Sequence, residues 1–141
     1  MRVGNFINGK AVQTISPTAS INDLLNSLAT HHVGALVVST DGRTIAGIVS
    51  ERDIVRALPN KLDHALALTV ADLMTKDVVT CTIDTTVSEL MQTMTNQRVR
   101  HVPVVDSEGL LLSIVSIGDV VKRHIDSLDG ERQALQDYIN S

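Results

Sequence analysis

Gly47-Ile-Val-Ser-Glu-Arg-Asp53 and Ser113-Ile-Val-Ser-Ile-Gly-Asp119 are two versions of one sequence motif, placed 66 residues apart. In each version a short β-branched run is followed by Ser-x-x-Asp, which is the spacing of a helix capping box. The motif therefore predicts, twice, a strand that leads directly into a capped helix. The surrounding sequence repeats as well, because residues 12–58 align with residues 78–124 without a gap.

Each copy predicts the element order β-α-β-β-α. The first helix of each copy has a capping pair, Ser20 with Asp23 and Thr86 with Glu89, followed by apolar residues at helical spacing. Pro103 lies inside a predicted strand and indicates an edge or a bulge there. One copy alone has too little core to be stable. We therefore predict an α/β (α+β) fold of two tandem repeats packed sheet-to-sheet with pseudo-twofold symmetry.

The repeat boundaries also predict how the chain is divided. The second repeat should open with a short helical turn at residues 70–75, and an additional helix should follow it at about residues 130–140. The predicted segments are an N-terminal lead-in (1–10), a first repeat (11–58), a linker (59–69), a second repeat (70–125) and a C-terminal helix (126–141).

Charge and composition exclude several classes of partner. The net charge of −4 argues against a nucleic-acid-binding surface. No apolar run approaches the ~20 residues that span a bilayer, and the N-terminus lacks the apolar core of a signal peptide. The single cysteine, Cys81, has no internal partner for a disulfide. We therefore expect a cytoplasmic protein that binds neither nucleic acid nor membranes.

The Ser-x-x-Asp motifs permit two interpretations. Ser50 with Asp53, and Ser116 with Asp119, are spaced to cap a helix and to complement its dipole. The same geometry also suits ligand binding, because a helix N-terminus offers N–H groups to an anion and a carboxylate can accept hydrogen bonds from a ribose diol. Spacing alone favours the capping interpretation, and the two roles are compatible.

A basic cluster, Arg98-Val-Arg100-His101, stands at the entry to a strand of the second copy. It is either a solvated corner or a phosphate clamp, because the planar guanidinium fork matches phosphate oxygens. The first copy has His31-His32-Val-Gly34 at the matching positions and lacks both arginines. The two sites should therefore differ, with the arginine-rich second site binding anions better.

The sequence contains no motif for metal binding or catalysis. The five histidines do not have the spacing of metal ligands, and Cys81 has no partner cysteine. Neither a nucleophile elbow nor a phosphate-binding P-loop is present. We expect no metal, no catalytic cofactor and no enzymatic activity.

The duplicated unit resembles the CBS domain, which occurs in pairs called Bateman modules. Three stretches carry the resemblance: residues 47–55, residues 100–106 and the segment Val70-Ala-Asp-Leu-Met-Thr75. Two departures stand out, because Gly47 is replaced by Ser113 in the second copy and residues 4–10 lack a clear counterpart of the Asp-Leu-Met-Thr segment. Both departures favour the second site over the first.

The resemblance implies an adenosine ligand such as AMP, ADP, ATP, NAD or S-adenosylmethionine. Asp53 and Asp119 would hold ribose hydroxyls, and Ser50 and Ser116 would contact ribose or phosphate. The residues implied at the phosphate are Arg98, Arg100 and His101, with help from Arg52, and those whose backbone would face the adenine are Ile15 and Thr80 to Thr82.

The family also implies a homodimer and a regulatory role in which the nucleotide acts as a signal. An unidentified effector protein would read this signal. The alternative is a dimeric interaction scaffold with an empty or degenerate cleft, and a weaker third possibility is a small nucleotide-processing enzyme. The sequence does not choose among the adenosine ligands, because ribose and phosphate contacts are common to all of them.

Overall fold

The structure, a computed structural model, describes residues 1–7, 12–60 and 62–140. Short 3₁₀ turns occur at Val3–Asn5 and Leu58–Asn60. The longer elements, in chain order, are β1 (Thr14–Ile15), α1 (Ile21–His31), β2 (Ala35–Val38), β3 (Gly47–Ser50), α2 (Glu51–Ala57), α3 (Leu62–Leu66), α4 (Val70–Leu73), α5 (Val87–Gln97), β4 (His101–Val105), β5 (Leu111–Ser116) and α6 (Ile117–Asn140).

The two sheets have the same topology. In the first repeat β1 runs parallel to β2, with Ile15 opposite Val38, and β2 runs antiparallel to β3. In the second repeat β4 and β5 are antiparallel, and Cys81 forms a parallel bridge with Val104. These two residues lie 66 positions after Ile15 and Val38. The mixed α/β class and the duplicated unit are therefore confirmed.

The capping signals of the sequence mark the starts of the first helices. The backbone N–H of Asp23 donates to Ser20 Oγ at 3.0 Å, which begins α1. Thr86 and Glu89 form the complete reciprocal box at α5, with distances of 3.0 and 3.1 Å. Both helices end at a residue with positive φ, His32 and Arg98, which is a left-handed cap.

The predicted irregularity near Pro103 is present. The register of β4 against β5 shifts between Val104 and Val105. Pro103 has no N–H to donate, but its carbonyl accepts from Cys81 N at 3.0 Å. The Cys81 side chain is buried in the core, and this burial raises the pKa of its thiol to about 11. Cys81 is therefore a small apolar core residue, as the sequence suggested.

The core of each repeat is completed by the short segment that leads into the other repeat. Val70 is fully buried in the core of the first repeat, with Ile15, Leu24 and Val49. Val3 is fully buried in the core of the second repeat. The two opening segments, residues 1–7 and residues 69–75, therefore interlock the repeats.

The interlocking segments correct the expectation that the N-terminus has no counterpart of the Asp-Leu-Met-Thr segment. Val3 N donates to Thr85 O at 2.8 Å, and Val70 N donates to Ala19 O at 2.9 Å. The two acceptor residues, Ala19 and Thr85, are 66 positions apart, but the two donor residues, Val3 and Val70, are 67 positions apart. Val3-Gly-Asn-Phe-Ile7 thus occupies the position of Val70-Ala-Asp-Leu-Met74, and the one-residue offset hides it from a gapless alignment.

The C-terminal helix is not separate from the second repeat. Helix α6 runs without interruption from Ile117 to Asn140, so the second helix of the repeat continues into the segment expected to be independent. Gly130 costs helix stability of ~1 kcal/mol relative to alanine, but no proline follows it to stop the helix. Among the described residues, no helix has the length and apolarity needed to cross a membrane.

Candidate functional site

A cavity of about 240 Å³, open to solvent on one side, lies between the two repeats. Its volume is just below the ~300–1,000 Å³ usual for small-ligand sites. One wall comes from the start of α2 in the first repeat, and the opposite wall comes from the end of α5 and the start of β4 in the second. A third wall is the chain between α4 and the second repeat, residues 75–79.

The first wall carries Ser50 and Asp53. Asp53 Oδ2 accepts hydrogen bonds from the backbone N and the Oγ of Ser50, at 2.8 and 3.1 Å. The capping interpretation of this motif is therefore confirmed. Both bonds end on Oδ2, so a ligand hydroxyl would be received by Oδ1 of the same carboxylate. Because the side chain is half-buried, such a bond would be sheltered from water.

The cavity is rich in arginine. Arg98 and Arg100 line it from the second repeat, and Arg52 and Arg56 line it from successive turns of α2. The left-handed cap at Arg98 ends α5 there, which turns the chain toward the cavity. The lining acids are Glu51, Asp53 and Asp77. Four guanidinium groups against three carboxylates leave the cavity with a positive balance suited to an anion.

His101 stands between the two repeats. A Cβ added to Gly34 would lie 3.5 Å from His101 Cε1, so the ring packs against the first repeat. Burial lowers the pKa of His101 below its usual value. The carboxylates of Asp119 and Glu51 act in the opposite direction, and Arg100 adds to the lowering. The imidazole is therefore favoured in its neutral form.

The third wall contains residues that the sequence analysis missed. Thr75 and Ile48 exchange backbone hydrogen bonds at 2.9 and 3.0 Å, which fixes this third wall, the floor of the cavity, against β3. Val78 and Val79 follow and line the cavity beside Asp77. The sequence signal at this point is weak, because Val78 and Val79 are only an apolar pair directly after the charged Asp77.

The expected adenine-facing residues lie elsewhere. Ile15 is buried in the core, and its carbonyl accepts from Ser39 N. Thr80 and Thr82 are exposed and do not line this cavity. The alternation of a strand places Cys81, between the two threonines, toward the core. Val78 and Val79 line the cavity, and Thr80 to Thr82 do not.

The second motif forms the same local structure outside this cavity. Asp119 Oδ2 accepts from Ser116 N and Ser116 Oγ at 3.2 and 2.9 Å, and Asp119 N donates to Ser116 Oγ at 3.2 Å. Asp119 is exposed. By the repeat alignment, the chain segment corresponding to residues 75–78 begins at about residue 8, and residues 8–11 lie outside the described part of the chain.

The structure groups these residues differently from the grouping expected from the sequence. The basic cluster of the second repeat was assigned with Asp119 of the same repeat, but Arg98, Arg100 and His101 line the cavity that contains Asp53. The Arg100 backbone does approach α6, because its carbonyl accepts from Ile117 N at 2.8 Å. The cavity therefore combines the helix start of the first repeat with the strand entry of the second.

Comparison with known proteins agrees with the duplicated fold. The family model described as CBS domain matches residues 3–60 and 70–126. The chain is 38% identical over 124 residues to the mitochondrial CBS domain-containing protein CBSX3 of Arabidopsis thaliana; the match covers 85% of this chain and 60% of that protein. The crystal structure of ATU1752 from Agrobacterium tumefaciens superposes with a TM-score of 0.82 at 38% identity, covering 88% of this chain and 99% of that one.

Two further solved structures contain adenosine ligands. PAE2072 from Pyrobaculum aerophilum, complexed with AMP, is 27% identical with a TM-score of 0.74, and the match covers 84% of this chain and 89% of that one. The CBS domain pair of MJ0100, in complex with 5′-methylthioadenosine and S-adenosyl-L-methionine, is 25% identical with a TM-score of 0.76, covering 90% and 98%. These two proteins therefore bind adenosine compounds, in one case with a phosphate and in the other without one.

Proposed function

Because this chain belongs to the CBS-domain family, we propose that it is a non-catalytic regulatory module whose ligand is an adenosine nucleotide bound in the cavity at Asp53. The observation that carries the proposal is the meeting of a helix-start carboxylate from one repeat with an arginine cluster from the other. A ligand that contacts both walls favours one arrangement of the repeats over others, which is the requirement for a ligand-driven signal.

The ribose binds at Asp53. Its carboxylate is already oriented by two hydrogen bonds from Ser50, so little side-chain entropy is lost when a diol binds. The adenine packs against the apolar surface of Ile48, Val78 and Val79. Backbone groups of residues 75–79 supply hydrogen bonds to the edge of the base.

The phosphate binds at the arginines of the opposite wall. Arg98 and Arg100 face the α2 start, and Arg52 and Arg56 extend the positive surface outward. Charge-assisted bonds from guanidinium to phosphate are among the strongest in proteins. The positive balance favours AMP, ADP, ATP or NAD over S-adenosylmethionine, because the sulfonium of that ligand carries a positive charge toward the same groups.

The two capping motifs provide a matched test. Asp53→Ala and Asp119→Ala remove the same capping box, at a comparable cost of about 1 kcal/mol, but only Asp53 lines the cavity. Thermal shift and isothermal titration with AMP, ADP, ATP, NAD and S-adenosylmethionine should show a phosphate-bearing ligand binding to wild type. Saturation at 100 times Kd stabilises by about 2.7 kcal/mol. Asp53→Ala should abolish the response of this site, and Asp119→Ala should retain it.

The outcomes separate the competing functions. An undiminished response in Asp53→Ala contradicts the assignment of the site. A response to S-adenosylmethionine alone contradicts the phosphate preference. If no nucleotide binds wild type and none co-purifies, the protein is an interaction scaffold, and conversion of any added nucleotide would identify an enzyme. We further propose that the module acts in the cytoplasm as a homodimer and that an effector protein reads its state.

A further inference from the structure

Helix α2 carries a second depression directly beside the nucleotide cavity. This outer notch is an open hollow on the exposed face of the helix, and its lining residues are Glu51, Arg52, Val55 and Arg56. Arg52 and Arg56 line both the cavity and the outer notch, whereas Arg98 and Arg100 line the cavity and not the notch. The outer notch therefore adjoins the cavity, and two arginines form the border between them.

The position of these two arginines relates them to the ribose site. Arg52 and Arg56 stand four residues apart on α2, so their side chains are neighbours on one face of the helix. Arg56 also lies three residues after Asp53, the residue that we assign to the ribose. A ligand anchored at Asp53 that extends beyond its first phosphate therefore passes both guanidinium groups on its way into the outer notch.

The guanidinium groups of the site have no protein partner in the part of the chain that the structure describes. None of the four lining arginines forms an ion pair or a side-chain hydrogen bond there. All four are exposed at the mouth of the cavity. Their donors are consequently available to the oxygens of a ligand.

Two of the three acidic residues that line the cavity are engaged elsewhere. Both hydrogen bonds to the Asp53 carboxylate come from Ser50. The Glu51 carboxyl group packs toward the start of β2, because its Cδ would lie 3.9 Å from a Cβ added to Gly34. Its charge acts there to raise the pKa of His101. The arginines of α2 are therefore left to bind a ligand.

The second repeat shows that the capped helix does not need these arginines. The residues 66 positions after Arg52 and Arg56 are Gly118 and Lys122. Glycine has no side chain, and lysine lacks the planar fork that matches phosphate oxygens. Because the same capping box forms at Ser116 and Asp119 without them, the arginine pair of α2 has no role in the cap.

We propose, on the basis of the nucleotide role of the cavity, that its ligand is an adenosine compound with a chain of phosphates, as in ATP, and that Arg52 and Arg56 select this chain over a single phosphate. The first phosphate binds at Arg98 and Arg100 inside the cavity, and the outer phosphates bind in the outer notch. Each further phosphate adds negative charge and acceptor oxygens for the guanidinium forks. A monophosphate leaves both arginines of α2 without a partner.

A dinucleotide such as NAD matches the outer notch less well. Its second nucleoside would place a ring beyond the phosphates, and a ring is bound best by apolar or aromatic walls. Among the described residues that line the notch only Val55 is apolar, and its side chain is 62% exposed. The notch is charged instead, so it suits terminal phosphates better than a second base.

The test compares the affinities of AMP, ADP, ATP and NAD for the full-length chain by isothermal titration, with a chelator present to keep the nucleotides free of divalent cations. Wild type should bind ATP roughly tenfold more tightly than AMP, with ADP between them, because two exposed guanidinium groups gain charge-assisted bonds. In the double variant Arg52→Gln/Arg56→Gln the dissociation constants of AMP and ATP should lie within roughly twofold of each other. Its thermal unfolding without ligand shows whether it is folded.

Two further variants serve as controls. Arg132→Gln removes the same charge from an exposed position on α6, outside the cavity and the outer notch, and should retain the ATP preference. Arg98→Gln should weaken AMP and ATP together, because both ligands have the phosphate that Arg98 binds. Loss of binding in Asp53→Ala assigns the measured affinities to this cavity.

The outcomes distinguish this proposal from the nucleotide role itself. Equal affinities of wild type for AMP and ATP would overturn the selection by phosphate number, as would an ATP preference that persists in the double variant. In both cases AMP binding that disappears in Asp53→Ala would still support a nucleotide site. Tighter binding of NAD than of ATP would also overturn the proposal, because the notch would then hold a second nucleoside. If no nucleotide binds wild type, the two proposals fail together.

Discussion

Gly47 lies where the chain at residues 74–75 approaches strand β3 closely. A Cβ at this position would lie 2.7 Å from Met74 Sδ and 2.8 Å from Thr75 O. Glycine is required here by the approach of another chain segment, and not by its backbone angles. In the sequence, Gly47 and its counterpart Ser113 are a simple difference between the two copies. The contact with residues 74–75 explains why position 47 of the first copy cannot carry a side chain.

Gly47→Ala should therefore destabilise the protein and displace the cavity floor. Overpacking of this kind costs about 1–3 kcal/mol, and the shift of Thr75 should also weaken nucleotide binding. Urea unfolding and isothermal titration measure the two effects. Gly130→Ala is the matched control, because nothing lies within 4 Å of the added Cβ. That variant should be about 1 kcal/mol more stable. Equal stability of the two variants would contradict the close-approach argument.

His101 should make stability depend on pH. Burial lowers its pKa in the folded protein, so the folded state binds fewer protons than the unfolded state, in which the pKa is about 6.5. The favourable contribution of neutral His101 is present above that pKa and is lost as the pH falls below it. In urea titrations, wild type should lose more stability on going from about pH 7.5 to about pH 5.5 than His101→Gln does. The control variant His64→Gln, at an exposed position, should lose as much stability as wild type over this pH range. An equal loss of stability in His101→Gln would contradict the burial argument.

At the scale of elements, the helices and strands follow from local sequence, but the choice of repeat against which each opening segment packs does not. The capping pairs predicted the starts of α1 and α5, and the repeated β-α-β-β-α order predicted the strands that follow them. The segments at residues 1–7 and 69–75 contain four apolar residues each, but their local sequence does not show which core they enter. They are held by backbone pairing with the opposite repeat, through Arg2 with Thr86 and Thr69 with Ser20.

Val3→Ala and Val70→Ala should therefore destabilise the protein by similar amounts. Val3 is fully buried in the core of the second repeat, and Val70 is fully buried in the core of the first. Removing two buried methyl groups costs about 2 kcal/mol with the cavity that remains. The exposed Val55→Ala should be nearly neutral, and chemical denaturation compares all three. A neutral Val3→Ala would mean that the N-terminal segment does not dock in solution.

At the scale of the whole molecule, the interlocked segments join two units that are individually small. Loss of either opening segment exposes the core of the other repeat, so neither repeat is complete without its neighbour. The cavity depends on the same arrangement, because its walls come from both repeats and its floor is the chain that leads from one to the other. Folding and ligand binding should consequently be coupled across the whole chain.

The protein should unfold in one cooperative step. Urea denaturation followed by far-ultraviolet circular dichroism should give a single transition, because each core contains the opening segment of the other repeat. Native-state hydrogen exchange should show that saturating AMP protects β2 and β4 to the same extent. Two separated transitions, or protection confined to one repeat, would show that the repeats are independent.

The sequence by itself determined the duplicated β-α-β-β-α unit, the capped helices and the family. These features are encoded locally, in capping pairs, apolar periodicity and a gapless repeat. Only the tertiary structure decided that Val3 packs in the second core and Val70 in the first. It also brought Arg98 and Arg100 into the cavity that contains Asp53, and it placed Val78 and Val79 in the lining of that cavity. Those pairings join residues from different repeats, and their contact depends on how two small cores pack together, which no local pattern records.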